Sequence, residues 1–345
     1  MMGFEEFRDQ VMAQLPNFLP SGMEVEISPT KIVKNNGRVK QGICIHQKGS
    51  NIGPVIYLDD DYQKYYDGQN MSIILNRISR IYMEEMEHMQ LDVSWLHDYN
   101  RVKDRLYCTL VNKENNAEFL KDKPYTQVED LAVIYQVFVG EGASGLATAI
   151  VTDQMMEQFK IDKETLHRDA MENTQRMFPT EIVNIRDVLW ESNEMDESPE
   201  LQVLWQSIPR MYILTNVQKK DGAAGILNPV VMDQIAAQIG EDIYVIPSSV
   251  HELILVPKLP NMNRRAVEEM IHEVNGDMLY PEEILSEHAY GVDFKEHRLY
   301  RCDLEEQRIK ERELEAVSEE KKAEPEPEME KKAVRRKPEQ RGPKM

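Results

Sequence analysis

The sequence predicts an α+β fold: small antiparallel sheets packed with helices, arranged as two closely packed lobes, followed by a disordered C-terminal tail. Three observations predict it. Short runs alternating apolar and polar residues are separated by Asn-Gly and Gly-containing turns, as antiparallel hairpins require. Amphipathic helical stripes fall between groups of strands and do not alternate with single strands, which argues against a parallel α/β sheet. From about Glu305 the composition shifts to Glu, Lys, Arg, Ala and Pro, with almost no aliphatic side chains beyond Leu314.

The first lobe covers residues 1–125. Phe4, Phe7, Val11 and Leu15 share one helical face, and Pro16 and Pro20 end the pattern. The same N-terminal stretch has neither a basic start nor an apolar run, so it does not read as a signal peptide. Two alternating segments flank Asn35-Asn36-Gly37, residues that tolerate positive φ and predict a hairpin. A third strand is expected near Val55–Leu58. The acidic and aromatic "YLDDDYQKYYDG" lacks the ligand spacing of a calcium loop and reads as an exposed turn or contact surface. A helix over about Ser72–Met89 buries a stripe of Leu75, Ile78, Tyr82, Met86 and Met89.

The second lobe covers residues 126–303 and opens with the strand "VEDLAVIYQVFV". Helices follow near 153–159 and 163–175, and "ESNEMDESPE" (191–200) reads as an exposed loop. "MYILTN" and "AAGIL" are expected as strands, then a helix near 230–239, strands in "DIYVIP" and "HELILVP", a helix near 262–274, and a last strand pair in "AYGVDFKEHRLYRC". "GLATAIVTDQMMEQF" and "GILNPVVMDQIAAQI" align without gaps and both read as strand followed by helix, a shared supersecondary shape more than a duplication. In the tail, 304–345, "RIKERELEA" continues a helix, and the remainder has nothing to bury against its ordering entropy.

Charge excludes some functions. The formal net charge is −20, and the 12 acidic and 12 basic residues from Leu304 onward cancel, so the whole excess belongs to residues 1–303. Such a body repels nucleic-acid phosphates, whose affinity rests on Lys and Arg. Residues 331–344, with seven basic side chains and one acid, could contact an acidic partner. The longest apolar run, Leu131–Val139, is too short to span a bilayer. Three cysteines, Cys44, Cys108 and Cys302, are far apart and odd in number, as expected of a reduced cytoplasmic protein with no disulfide scaffold.

Two motifs invite chemistry. Gly140, Gly142 and Gly145 have the spacing G-x-G-x-x-G. A dinucleotide loop needs a helix directly after the glycines, but "LATAIVT" is β-branched and the nearest helix caps are Thr152 and Asp153. A kinase-like loop needs a lysine on the next strand, and none is there. The glycines therefore read as a hairpin loop, and no cofactor is expected. The second motif is "IPSSVHE", where Ser248, Ser249, His251 and Glu252 bring together the ingredients of nucleophilic catalysis. On a strand, Ser249 and His251 share a face and Glu252 points away. No G-x-S-x-G elbow accompanies them, so they stand as weak candidates only. The eight histidines form no H-E-x-x-H pattern; Glu84/His88 and Glu268/His272 lie four apart on expected helices, a spacing common by chance in an acid-rich chain, and no metal site is expected.

The segments "DLAVIYQVFV", "LATAIVTDQMMEQFKIDKETLHRDAMENT", "MYILTN", "GAAGILNP" and "IAAQIGEDIYVIPSSVHELILVP" resemble a bacterial family catalogued as domain of unknown function 5688. The resemblance covers roughly residues 70–300, with "DAMENT" (169–174) and "IPSSVHE" (246–252) its most distinctive pieces. It implies a cytoplasmic accessory protein, often near mobile elements, with no established activity to carry over. The expectation is thus a non-enzymatic protein that interacts with a protein partner, with a hydrolase using Ser249 or Ser248 and His251 as the alternative.

Overall fold

A computed structural model describes residues 2–48, 53–88, 93–142, 145–192, 210–260, 262–277 and 279–323. The chain divides into a unit Met1–Asp303 and a second unit Leu304–Met345. The fold is α+β, with antiparallel strand pairing throughout the described sheets.

The first sheet joins β1 (Val25–Val33), β2 (Val39–Gln47) and β3 (Val55–Tyr57) in that order. Its hairpin is closed by Asn35-Asn36-Gly37, where Asn36 and Gly37 adopt φ of 57° and 67°. Helix α1 (Phe4–Gln14) and helix α3 (Met71–His88) cover it. Phe7, Val11, Ile43, Ile45, Leu75, Ile78 and Tyr82 make one apolar cluster, as the helical stripes predict, whereas Met89 lies outside the described residues.

The acidic stretch is not a turn. Residues 59–66 form helix α2 (Asp59–Tyr66), whose first turn carries three aspartates at the positive end of the helix dipole. Asp61 is fully buried and accepts from Arg77 of α3, Nε at 2.8 Å and Nη2 beside it. Tyr62 and Tyr65 pack near Phe7 at the edge of the core, while Tyr66 is exposed.

The central sheet is built on β6 (Leu131–Gly142). It pairs β4 (Leu106–Asn112) along one edge, and β5 (Tyr125–Val128) and β7 (Gly145–Ile150) along the other. β4 precedes residue 125 and β6 follows it, so this sheet runs across the expected lobe boundary. The expected single strand from Val128 breaks at Glu129, whose φ of 54° turns β5 into β6. Every residue of β4 is buried. Cys108, Leu110, Val133 and Tyr135 point to one face, under Leu166 and Ala170 of α6 (Lys163–Met177). Helix α4 (Tyr99–Val102) precedes β4, and α5 (Asp153–Phe159) starts at Thr152, whose hydroxyl accepts from Met155 N–H.

The third sheet has the order β13-β12-β10-β11-β9-β8. Its strands are β8 (Thr180–Asn184), β9 (Tyr212–Asn216), β10 (Ile243–Ile246), β11 (Leu253–Pro257), β12 (Tyr290–Asp293) and β13 (Arg298–Arg301). Period-2 alternation sends Val245, Leu253 and Leu255 into the large core with the helix Pro229–Ile239, while Ile246 and Val256 meet Val267 and Ile271 of the helix Arg264–Asp277. Here α7 spans Ile185–Ser192, α8 Pro229–Ile239 and α9 Arg264–Asp277. "AAGIL" is not a strand: Gly222–Leu227 forms a 3-10 turn. Gly225 lies against Thr180, and Asn228 caps Val230 N–H with Pro229 at the first helical position, so a helix start takes over the segment. The two echoing segments therefore share only their helices. The expected loop at 193–200 and the tail beyond Ala323 lie outside the described residues; α10 runs Cys302–Ala323.

Candidate functional site: a cleft over the central sheet

The face of the central sheet opposite α6 carries Thr109, Val111, Ile134, Gln136 and Ile150, and it floors a cleft of about 470 Å³. Register explains this set. Thr109 faces Ile134, and Gln136 faces Ile150 across the neighbouring pair, so the alternation that buries Cys108 and Tyr135 turns these residues the other way. Gln136 ties the floor together. Its Nε2 donates to Thr109 Oγ1 at 3.1 Å, and its Oε1 accepts from Thr148 Oγ1 at 2.9 Å.

One wall is the end of the β1–β2 hairpin, with Ile32, Val33, Lys34, Asn35 and Lys40. It is held by a clasp of asparagines. Asn35 Nδ2 donates to Glu282 O at 2.8 Å, and Asn36 Nδ2 donates to Pro281 O and Ile284 O at 2.8 and 2.7 Å. Asn116, buried beneath, accepts Asn36 N–H at 2.8 Å and donates to Asn35 Oδ1 at 2.8 Å. Lys40 pairs with Glu282 at 3.3 Å, and Lys34 lies 5.0 Å from the centre of the Tyr57 ring.

The other wall brings together Asp221, Val250, His251, Glu282 and Glu283. Asp221 holds a left-handed backbone, φ 56°. Gly222 after it is pressed so close that a Cβ there would stand 2.7 Å from both Asn216 N and His251 O. The closeness lets Asp221 N–H donate to His251 Nδ1 at 3.0 Å, and the Asp221 carboxylate lies 3.6 Å from the same nitrogen. Burial raises the Asp221 carboxyl above the usual carboxylate range, against the opposing charges of His251 and Lys220. Burial also pushes the Tyr107 phenol up, with the Asp221 charge adding to it.

After Ile246, which ends β10, the rest of "IPSSVHE" (247–252) is a loop leading to β11, not a strand, because a Ser-capped turn replaces the ladder. Ser249 Oγ accepts from His251 N–H at 3.0 Å and Glu252 N–H at 3.2 Å, and Ser249 N–H donates to Glu252 O. Ser248 and Ser249 are buried and are not among the cleft-lining side chains; His251 is. A nucleophile needs its oxygen on the imidazole, but Ser249 Oγ is aimed at backbone amides. With Nδ1 accepting the Asp221 N–H, neutral His251 carries its proton on Nε2, the opposite of a general-base tautomer.

Gly140, Gly142 and Gly145 lie in the β6–β7 hairpin, Gly142 opposite Gly145 and a bulge between Phe138 and Gly140; residues 143 and 144 are outside the described set. The helix after them starts eight residues later, at Asp153. Of the helical pairs, Glu84 lies 3.8 Å from Arg80, and Glu268 binds Arg264 at 2.5 Å while His272 pairs with Glu287. Among the described residues no group of three or more His, Cys, Asp or Glu side chains could hold a metal ion. No helix among them is long and apolar enough to cross a membrane.

Sequence reasoning singled out His251 but missed Asp221, Lys34, Lys40 and Glu282. Asp221 had one usable signal: it precedes Gly222 in "KKDGAAG", where Asp-Gly marks a turn with positive φ. Comparison with curated proteins gives no match, and comparison with solved structures gives none either. A family model described as a family of unknown function, DUF5688, matches residues 4–293.

Proposed function

We propose that this chain, which belongs to the DUF5688 family of unknown function, is a non-catalytic accessory protein that works by binding, with its ligand seated in the cleft over the central sheet. One observation carries this reading. The cleft has a floor of Val111, Ile134 and Ile150 around the Thr109–Gln136 pair, a few convergent polar groups on its walls and a volume of about 470 Å³, the recipe of a ligand site. Its walls come from residues near 32–40, 221, 250 and 282, and a fold that assembles such walls by long-range hydrogen bonds preorganises them. Cys44, Cys108 and Cys302 form no disulfide among the described residues, which agrees with a reducing compartment.

The test uses the full chain incubated with a small-molecule extract of its host, dialysed, and analysed for retained ligand by native mass spectrometry. Wild type should retain a compound that Ile150→Trp and Val33→Trp, which fill the floor and mouth of the cleft, release. Equal retention by all three, or none by wild type, would count against binding in the cleft. Turnover of activated esters that is lost in Ser249→Ala and His251→Ala would favour the hydrolase instead.

A further inference from the structure

Resting on the binding reading above, we infer that the cleft selects a protonated amine carried on an apolar body, with Asp221 as its counter-ion. The charged side chains at the walls divide unequally. Lys40 is engaged by Glu282 at 3.3 Å, and Lys34 lies over the Tyr57 ring. Asp221 and Glu283 have no Lys or Arg within ion-pair distance among the described residues, and both line the cleft. Three carboxylates and two ammoniums therefore face the cavity, with one carboxylate and one ammonium already paired and the other ammonium held on an aromatic face.

Asp221 is fixed by its backbone. Its left-handed φ, the contact at Gly222 and the N–H bond to His251 Nδ1 fix the point from which its side chain springs, and the carboxylate lies on the cleft wall 3.6 Å from that ring nitrogen. Burial disfavours the charge it carries, and a ligand cation is what offsets that cost. Ile32, Val111, Ile134 and Ile150 offer an incoming molecule mainly apolar contact, which an amine with an aliphatic or aromatic body matches and a free metal ion does not.

Titration calorimetry and saturation-transfer NMR on the full chain, with 4-phenylbutylamine, 4-phenylbutanol and 4-phenylbutyrate as size-matched probes, test this. The amine should bind at least tenfold tighter than the alcohol, and the carboxylate weakest of the three. Asp221→Asn, which tolerates the same left-handed backbone, should bring the amine to the affinity of the alcohol, and Glu283→Gln should weaken it less. Ile150→Trp should remove all binding, with unfolding curves checking that each variant is folded. If Ile150→Trp removes binding but the carboxylate binds as tightly as the amine, or Asp221→Asn leaves the amine unchanged, the amine assignment is overturned and the cleft remains a binding site. If no probe binds, or Ile150→Trp changes nothing, the assignment falls together with the binding reading.

Discussion

Replacing Asn116 by Leu removes the polar centre of the clasp while keeping the number of heavy atoms and the branching at Cγ. The side chain is 1% exposed. Its Oδ1 accepts Asn36 N–H at 2.8 Å, and its Nδ2 lies 2.8 Å from Asn35 Oδ1, 3.1 Å from Asn36 Oδ1 and 2.7 Å from Asn112 O. An amide nitrogen has two hydrogens, so these four contacts amount to three full hydrogen bonds. Each contributes about 1 kcal/mol net, and a buried partner left unmatched costs up to about 3 kcal/mol. Asn35 and Asn36 are half-buried and regain water in part, which keeps the total near about 3 kcal/mol. Unfolding entropy scales with length, so for the unit Met1–Asp303 this lowers Tm by about 5 °C. Urea unfolding followed by circular dichroism measures the loss. A cycle with Asn36→Ala should show coupling of about 1 kcal/mol, since the two residues share bonds. A loss below about 0.5 kcal/mol with additive double mutants would refute the clasp as an energetic feature.

Three further predictions concern single positions. Asp61→Ala leaves Arg77 without its buried partner and should cost about 3 kcal/mol in urea unfolding, less than for a pair buried on both sides because Arg77 is about a third exposed; a change within about 0.5 kcal/mol would mean the pair is inert. The raised Asp221 carboxyl binds protons more readily folded than unfolded, so its contribution favours folding at low pH and is lost as pH rises through its folded value. Asp221→Asn should therefore be more stable than wild type at neutral pH, with the advantage shrinking as pH falls into the usual carboxylate range; an advantage independent of pH would contradict the burial argument. Gly222→Ala drives a methyl into Asn216 N and His251 O and should cost about 1–3 kcal/mol, with the His251 ring resonances shifting in NMR; unchanged resonances would show that the backbone gives way elsewhere.

What was legible in the sequence follows the range of the interaction that decides it. The Asn35-Asn36-Gly37 turn, the α3 stripe and the Thr152 cap are each set by neighbours within a few residues, and the sequence predicts them where they occur. The acidic helix α2 was illegible because Asp61 is made internal by Arg77, 16 residues away. "AAGIL" looks like a strand by composition, and contact with Thr180 and the Asn228-Pro229 cap decide otherwise. At the cleft, His251 announces itself through its chemistry, but its partner Asp221 is 30 residues earlier and meets it through a backbone N–H. Side-chain chemistry read along one strand cannot anticipate a ring nitrogen occupied by a distant peptide group, which is why Ser249 and His251 look like a pair in sequence and not in space.

The clasp also has a consequence for synthesis. Asn35 bonds to a carbonyl 247 residues downstream. At roughly 5–20 residues per second, the hairpin leaves the ribosome roughly 10–50 s before that carbonyl exists. Through this interval Ile32 and Val33, which end as a cleft wall, have no opposite side. α1 and α3, which share one apolar cluster with β2 and β3, are available to the early sheet before the opposite wall exists, so the cleft is expected to be among the last parts of the molecule to close.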